Sequence, residues 1–190
     1  MKKVLSVLAF LAIGFSVFAQ TKWSADPVHS SLGFSVKHLG ISKINGRFNK
    51  FEGTYTSAKA DLSDMKISFN IDAFSINTEV EKRDDDLRSD NFFNAIKYPY
   101  IKFESTSIKK LKENNYRLFG KLTIRDVTKD VIFHVVYGGT TKDPWGNTRS
   151  GFSATTIINR FDYHINYDPT ALTVGEEVTL NLNMEFIKSK

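Results

Sequence analysis

The chain has no cysteine among its 190 residues. That excludes disulfides, cysteine-ligated zinc, iron–sulfur clusters and thiol catalysis. Histidine is scarce: His29, His38, His134 and His164 are the four, and none sits in an HExxH or paired-ligand spacing. No metal and no cofactor is expected. A GxSxG elbow is missing, and the adjacent side chains of His29 and Ser30 diverge along an extended segment, so Ser30 is expected to bond local backbone rather than act as a nucleophile. The Asp84-Asp85-Asp86 run offers carboxylates without an arguable base-and-nucleophile geometry; it reads as the start of a helix, paired with Arg83 and Arg88. Internal repeats, low-complexity tracts and linkers are all missing, and the length suits one domain. A dominant charge is missing too: 26 Lys and Arg face 21 Asp and Glu, a formal net charge of +5 that does not argue for nucleic acid.

The one long apolar run is at the start. Lys2 and Lys3 precede a stretch from Val4 to Phe18, and Val17-Phe18-Ala19 supplies a cleavage-site pattern before Gln20. Residues 1–19 are expected to be a signal peptide cut after Ala19, giving a periplasmic or secreted protein with no stable membrane span. An uncleaved anchor is the alternative; the run is short for one. Without a cysteine after the run, a lipoprotein anchor is excluded. Cleavage leaves 171 residues and lowers the net charge to +3.

What the chain has in quantity is aromatic residues, 13% of the total, with 16 Phe. They fall in segments of period two, apolar on one face and polar on the other. These are Leu32-Phe34-Val36; Ile44-Gly46-Phe48 continuing as Phe51-Gly53-Tyr55 after a bulge at Asn49-Lys50; Met65 to Ala73; Ile101-Phe103; Tyr116 to Ile124; Val131 to Tyr137; Phe152 to Ile158; and Val178 to Phe186. The charged residues 79–88 read as a short helix with Val80 and Leu87 on one face. Residues 138–151 read as a long loop. The fold class is therefore all-β: an eight-stranded antiparallel barrel with a short helical segment, or else a two-sheet sandwich. Gly33, Gly46, Gly53 and Gly120 inside strands favour the curvature of a barrel.

The inward set either packs a filled core or lines an apolar tunnel. Its candidate lining is Phe34, Val36, Phe48, Phe69, Ile101, Phe103, Leu122, Phe133, Phe152 and Ile158. Phe92 and Phe93 add a wedge after the helix. Arg160 falls on the apolar parity of its strand. It is expected to pair with an acid such as Asp84 or Asp90, or to reach a ligand head group at the barrel mouth.

Several segments occur together in order: Trp23-Ser24-Ala25-Asp26-Pro27-Val28-His29-Ser30, Phe34-Ser35-Val36-Lys37-His38-Leu39, Gly46-Arg47-Phe48, Arg83-Asp84-Asp85-Asp86-Leu87-Arg88, Phe92-Phe93, Tyr98-Pro99-Tyr100-Ile101-Lys102-Phe103 and Asn159-Arg160. The sequence resembles the YceI-like family of exported bacterial lipid-binding proteins over residues 22–187. The resemblance implies a lipocalin-like barrel whose elongated cavity holds a polyisoprenoid, an isoprenoid quinone or another long-chain amphiphile. It implies a binding protein rather than an enzyme, with a homodimer as one form of assembly. His38, Arg83, Asn159 and Arg160 are then candidates for head-group or barrel-mouth contacts. Family members commonly carry Gly where this chain has Asp126 and His164. A tight turn at Asp126 is expected to need positive φ, and the ring of His164 to alter the local cavity. The alternatives are a structural barrel without ligand and a small secreted hydrolase.

Overall fold

The computed structural model of the chain describes residues 20–189. The expected signal peptide and its cleavage point after Ala19 lie outside the described residues or at their edge. Eleven strands are formed: β1 Thr21–Ala25, β2 Ser31–His38, β3 Ser42–Phe48, β4 Phe51–Ser57, β5 Lys66–Asp72, β6 Ile76–Asn77, β7 Tyr100–Lys110, β8 Asn115–Ile124, β9 Val127–Lys142, β10 Thr148–Asn159 and β11 Val174–Lys188. One α-helix, α1 Glu81–Arg88, stands between β6 and β7. All the pairings are antiparallel. The order β1-β4-β5-β7-β8-β9-β10-β11 closes when β11 pairs back onto β1. The result is a closed eight-strand antiparallel barrel, which leaves no edge around its ring.

The remaining strands continue positions of that ring. β2 takes over from β1 along β11, Ala25 facing Phe186 and Ser31 facing Asn183. The expected bulge at Asn49-Lys50 is instead a break between two strands, β3 and β4, and β6 extends the path of β5 alongside β3. The break between β1 and β2 leaves Glu185 without strand partners on that side, and side chains repair it. The Asp26 N–H and the Ser30 hydroxyl both donate to the Glu185 carbonyl, at 2.8 and 3.2 Å, and Ser30 Oγ accepts from the Glu185 N–H at 2.9 Å. Ser30 thus bonds a strand far along the chain, not local backbone. Groups buried in a ladder must find partners, and here a hydroxyl substitutes for a peptide.

Three of the in-strand glycines serve close approach. A Cβ on Gly46 would meet the Phe34 ring at 2.3 Å, one on Gly53 the Phe69 ring at 2.2 Å, and one on Gly120 the Phe103 ring at 2.4 Å. Each ring is seated against a neighbouring strand's glycine, in space a side chain there would occupy.

Residues 138–151 are mostly strand rather than loop. Thr140, Thr141 and Lys142 pair with Ser150, Arg149 and Thr148, so only residues 143–147 form the turn. One side of this hairpin is solvated and the other is covered at Asp143, Arg149 and the buried Ser150, all polar, so no apolar alternation marks it. The helix begins at Glu81, because Glu79 has φ +66° and Val80 is extended. Val80 is consequently exposed, while Leu87 faces inward. Asp84 lies in the first turn of the helix, as expected of the acidic run. It is buried and accepts from the Thr78 N–H and hydroxyl at 2.8 and 2.5 Å. Arg83 also goes to Thr78, at Oγ1 and the carbonyl, rather than to the acidic run. Arg88 does pair with Asp85, at 2.8 Å.

An ion cluster ties the β1–β2 bend to the β9–β10 turn. Arg149 bonds Asp26 and Asp143 at 2.7 Å each and also Glu185, while His29 Nδ1 lies 2.8 Å from Asp26. Donor atoms of Asp26, His29 and Glu185 converge as metal ligands could. The guanidinium already bridges the two carboxylates, so a resident cation is supplied by the chain. Burial opposes ionisation of Asp26, but hydrogen bonds from His29, Arg149 and the Val28 N–H outweigh it and hold the carboxyl at about 2. Asp143 is likewise held at about 2 by Arg149 and Asn147 against its own desolvation. Both carboxyls lie below the unfolded value of about 3.9. Their contribution to stability is complete above that value and is lost as pH falls through about 2. Urea unfolding between pH 6 and 2, taken as an approximate acid window, should show a plateau that falls only in its acid part. Arg149→Met should lower the plateau and flatten the fall. An unchanged acid limb in the variant would show that Arg149 is not the cause.

Candidate functional site

The inward rows of the strands enclose a cavity along the barrel. It measures about 1400 Å³, counting the part open to solvent. This slot is bordered almost wholly by apolar side chains. Along β11 the inward row runs from Val178 to Phe186, about 27 Å at strand rise.

All twelve apolar residues singled out from the sequence border this slot: Phe34, Val36, Phe48, Phe69, Phe92 and Phe93, and also Ile101, Phe103, Leu122, Phe133, Phe152 and Ile158. The sequence reading passed over the wall supplied by β11, namely Val178, Leu180, Leu182, Met184 and Phe186. Their alternation was visible, and being on the closing strand makes them wall residues by the same parity. Tyr163 and Ile165, in the irregular β10–β11 connection, carried no periodic signal.

One end of the slot is closed by aromatic rings. Trp23 stacks on Tyr55 at 5.4 Å, and Tyr55, Phe152 and Phe186 meet edge to face at 4.9–5.8 Å. The Tyr55 hydroxyl and Ser150 Oγ form a buried hydrogen bond of 2.8 Å. Burial pushes the Tyr55 phenol above its ordinary value, so it stays neutral at any working pH. At the other end Phe93 packs edge-on against Phe48 at 5.7 Å, and Phe92 packs on Tyr167 at 4.8 Å. The wedge expected after the helix is therefore a wall of this end. It is fastened by Arg125, which donates from Nη1 to the carbonyls of Phe92 and His164.

Arg160 borders the cavity and is 3% exposed. It pairs with neither Asp84 nor Asp90. Strand β10 ends at Asn159, and the following 3₁₀ turn directs the guanidinium into the β10–β11 connection. Nε donates to Gly175, Nη1 to Ile165 and Tyr167, and Nη2 to Asp168 and Val174, all at main-chain carbonyls. Five N–H groups meet five acceptors, which leaves none for a head group. Burial lowers its pKa, with Asp168 and Glu176 opposing. The other candidate polar contacts do not border the slot. Asn159 caps the turn through the Phe161 N–H and reaches Glu176, Arg83 is held by Thr78, and His38 ends β2.

The two departures from the resembled pattern meet each other. His164 has φ +58°, the left-handed region where Gly is favoured. In the β8–β9 turn the positive φ falls on Arg125, at +55°, and not on Asp126. His164 Nδ1 lies 3.3 Å from both Asp126 carboxylate oxygens, on the surface. The ring is exposed and turned away from the slot, so cavity shape is not altered there.

Fold and cavity together define a cavity-bearing antiparallel β-barrel. The YceI-like domain matches residues 23–186, and the chain belongs to the YceI-like family. A UPF0312 protein of Pseudomonas putida (strain W619) is 34% identical over 194 residues, covering all of both chains. The crystal structure of the Campylobacter jejuni YCEI protein is 27% identical, covers all of both chains and superposes with a TM-score of 0.73. A polyisoprenoid binding domain from Saccharophagus degradans shares the fold at 15% identity and TM-score 0.66, over 88% of this chain and 98% of its own.

Proposed function

We propose that the protein is an exported binding protein that encloses one long apolar chain, such as a polyisoprenoid, an isoprenoid quinone or a fatty-acid-like lipid. The observation that carries this is the slot itself, apolar along its walls, with its one buried cation fully engaged by main-chain carbonyls. Such a site gains from transfer of methylenes out of water, about 0.8 kcal/mol each, and offers nothing to an ionic group inside. The name of the Saccharophagus domain supports the same ligand class. Binding rather than catalysis fits a cavity in which no nucleophile and base face one another. Release into the periplasm, after cleavage behind Ala19, belongs to the same reading.

Organic extraction and native mass spectrometry of protein purified from its own source test it directly. Phe103→Trp adds a designed obstruction. Phe103 is seated on Gly120, so a larger ring must extend into the slot. Affinity for a long prenyl chain should fall about tenfold, the equivalent of one or two displaced methylenes, while a short prenyl chain binds nearly as before. A filled core would instead lose about 1–3 kcal/mol of stability through overpacking. That loss, with no lipid extractable from the parent protein, would leave the structural barrel as the better reading.

A further inference from the structure

The charges are sorted along the barrel axis. At the aromatic-closed end lie residues 20–26, 55–67, 106–117, 138–149 and 185–189, which carry ten Lys and Arg against six Asp and Glu. At the helix-bearing end, residues 37–47, 72–100, 123–130 and 159–177 carry ten against thirteen. A molecule of mild net charge is therefore basic at one end and weakly acidic at the other.

The basic end is not neutralised from within. Arg149 is engaged by its carboxylates, but the nine other cations there are exposed, and none makes an ion pair among the described residues. Lys109 stands directly across from Arg117 in the β7–β8 ladder. Like charges in facing positions destabilise a sheet, so this pair opposes the fold unless an anion lies over it.

Two apolar tips share this end. Trp145, at the β9–β10 turn, is 80% exposed, and Leu111, at the β7–β8 turn, is 40% exposed. The Trp145 turn is built to hold its shape. Asp143 accepts from the main-chain N–H of Trp145 and of Asn147, and its carboxylate is clamped by Arg149. An ordered turn thus presents a large amphipathic ring to solvent at the end of the barrel that carries the basic excess. Indole rings favour the level of lipid head groups, and clustered lysines favour anionic ones.

We infer that the basic end docks on the surface of an anionic phospholipid bilayer, with Trp145 entering the head-group layer and Lys109, Lys110, Lys112, Arg117 and Lys142 facing lipid phosphates. No helix among the described residues is long and apolar enough to cross a membrane, so the contact is peripheral. This surface lies outside the cavity and is a second site beside it.

Flotation with vesicles tests the inference, using the chain from Gln20 onward, which contains every strand of the closed barrel. Binding is expected to phosphatidylglycerol–phosphatidylcholine vesicles, to weaken with added salt, and to be lost on pure phosphatidylcholine. The chain has two Trp, and Trp23 is buried, so a blue shift of emission on binding reports Trp145. Lys109→Glu with Arg117→Glu should lower partitioning roughly 30-fold, at about a factor of five for each basic residue removed. Trp145→Ala should abolish the emission shift. Equal binding by the double variant, or binding to an anionic polysaccharide or nucleic acid but not to these vesicles, overturns the inference. Prenol binding measured without vesicles should be unchanged in every variant. Its absence in the parent chain would count against the cavity's ligand and leave the surface result to be judged alone.

Discussion

Replacing Arg160 by methionine is expected to lower the stability of the barrel by about 3–5 kcal/mol. Five main-chain carbonyls lose their donors at once, and each buried acceptor left unpaired costs about 1–3 kcal/mol. Release of a buried charge offsets part of this, which is why the total is less than the sum over five. The stem of methionine fills similar space, so packing is not the cause. Arg160→Lys should recover only part of the loss, because an ammonium has three donors and no planar fork. Urea unfolding of the three proteins decides it. A loss below about 1 kcal/mol in the methionine variant would mean that water reaches these carbonyls and that the cation is dispensable.

The second large effect is expected at Phe186. It is fully buried and meets Tyr55 and Phe152 edge to face, with Phe69 at 6.1 Å. Phe186→Ala should cost about 3–5 kcal/mol, the range for a core ring whose cavity cannot collapse. It should also lengthen the slot, because the removed ring forms part of its closed end. In a protein that binds a chain, the variant should then favour longer prenols over the length preferred by the parent. Stability and chain-length preference are separate readouts. Loss of the first without movement of the second would place the end of the bound chain short of Phe186.

The sequence made the barrel legible because its walls alternate. Rows such as Tyr116, Leu118, Gly120, Leu122 and Ile124 must face one way, and the family resemblance then placed the rows in a closed ring. Parity also identified six slot-bordering phenylalanines, Phe34, Phe48, Phe69, Phe103, Phe133 and Phe152. It was silent wherever the chain leaves a strand. Arg160 has the right parity, but β10 stops one residue earlier, so its partners come from a connection with no pattern. Arg83 and Asp84 converge on Thr78, a residue without any periodic role. The β9–β10 extension covers one face with the polar side chains of Asp143, Arg149 and Ser150, so its strands carry no apolar signature. Close approach, as at Gly46, Gly53 and Gly120, is readable as glycine in a strand, but the ring it receives is not.

The side-chain repair between β1 and β2 fixes more than a pair of hydrogen bonds. Both strands lie along one neighbour, β11, and the bend between them spends residues 26–30 while β11 advances from Phe186 only to Asn183. The bend therefore acts as a counting device. Loss of a single residue within it would shift β2 by one place, turn Phe34 and Val36 to solvent and bring Ser35 and Lys37 into the slot. Length changes in this molecule can accumulate in its turns, but at this bend one deletion would turn a wall of the barrel inside out.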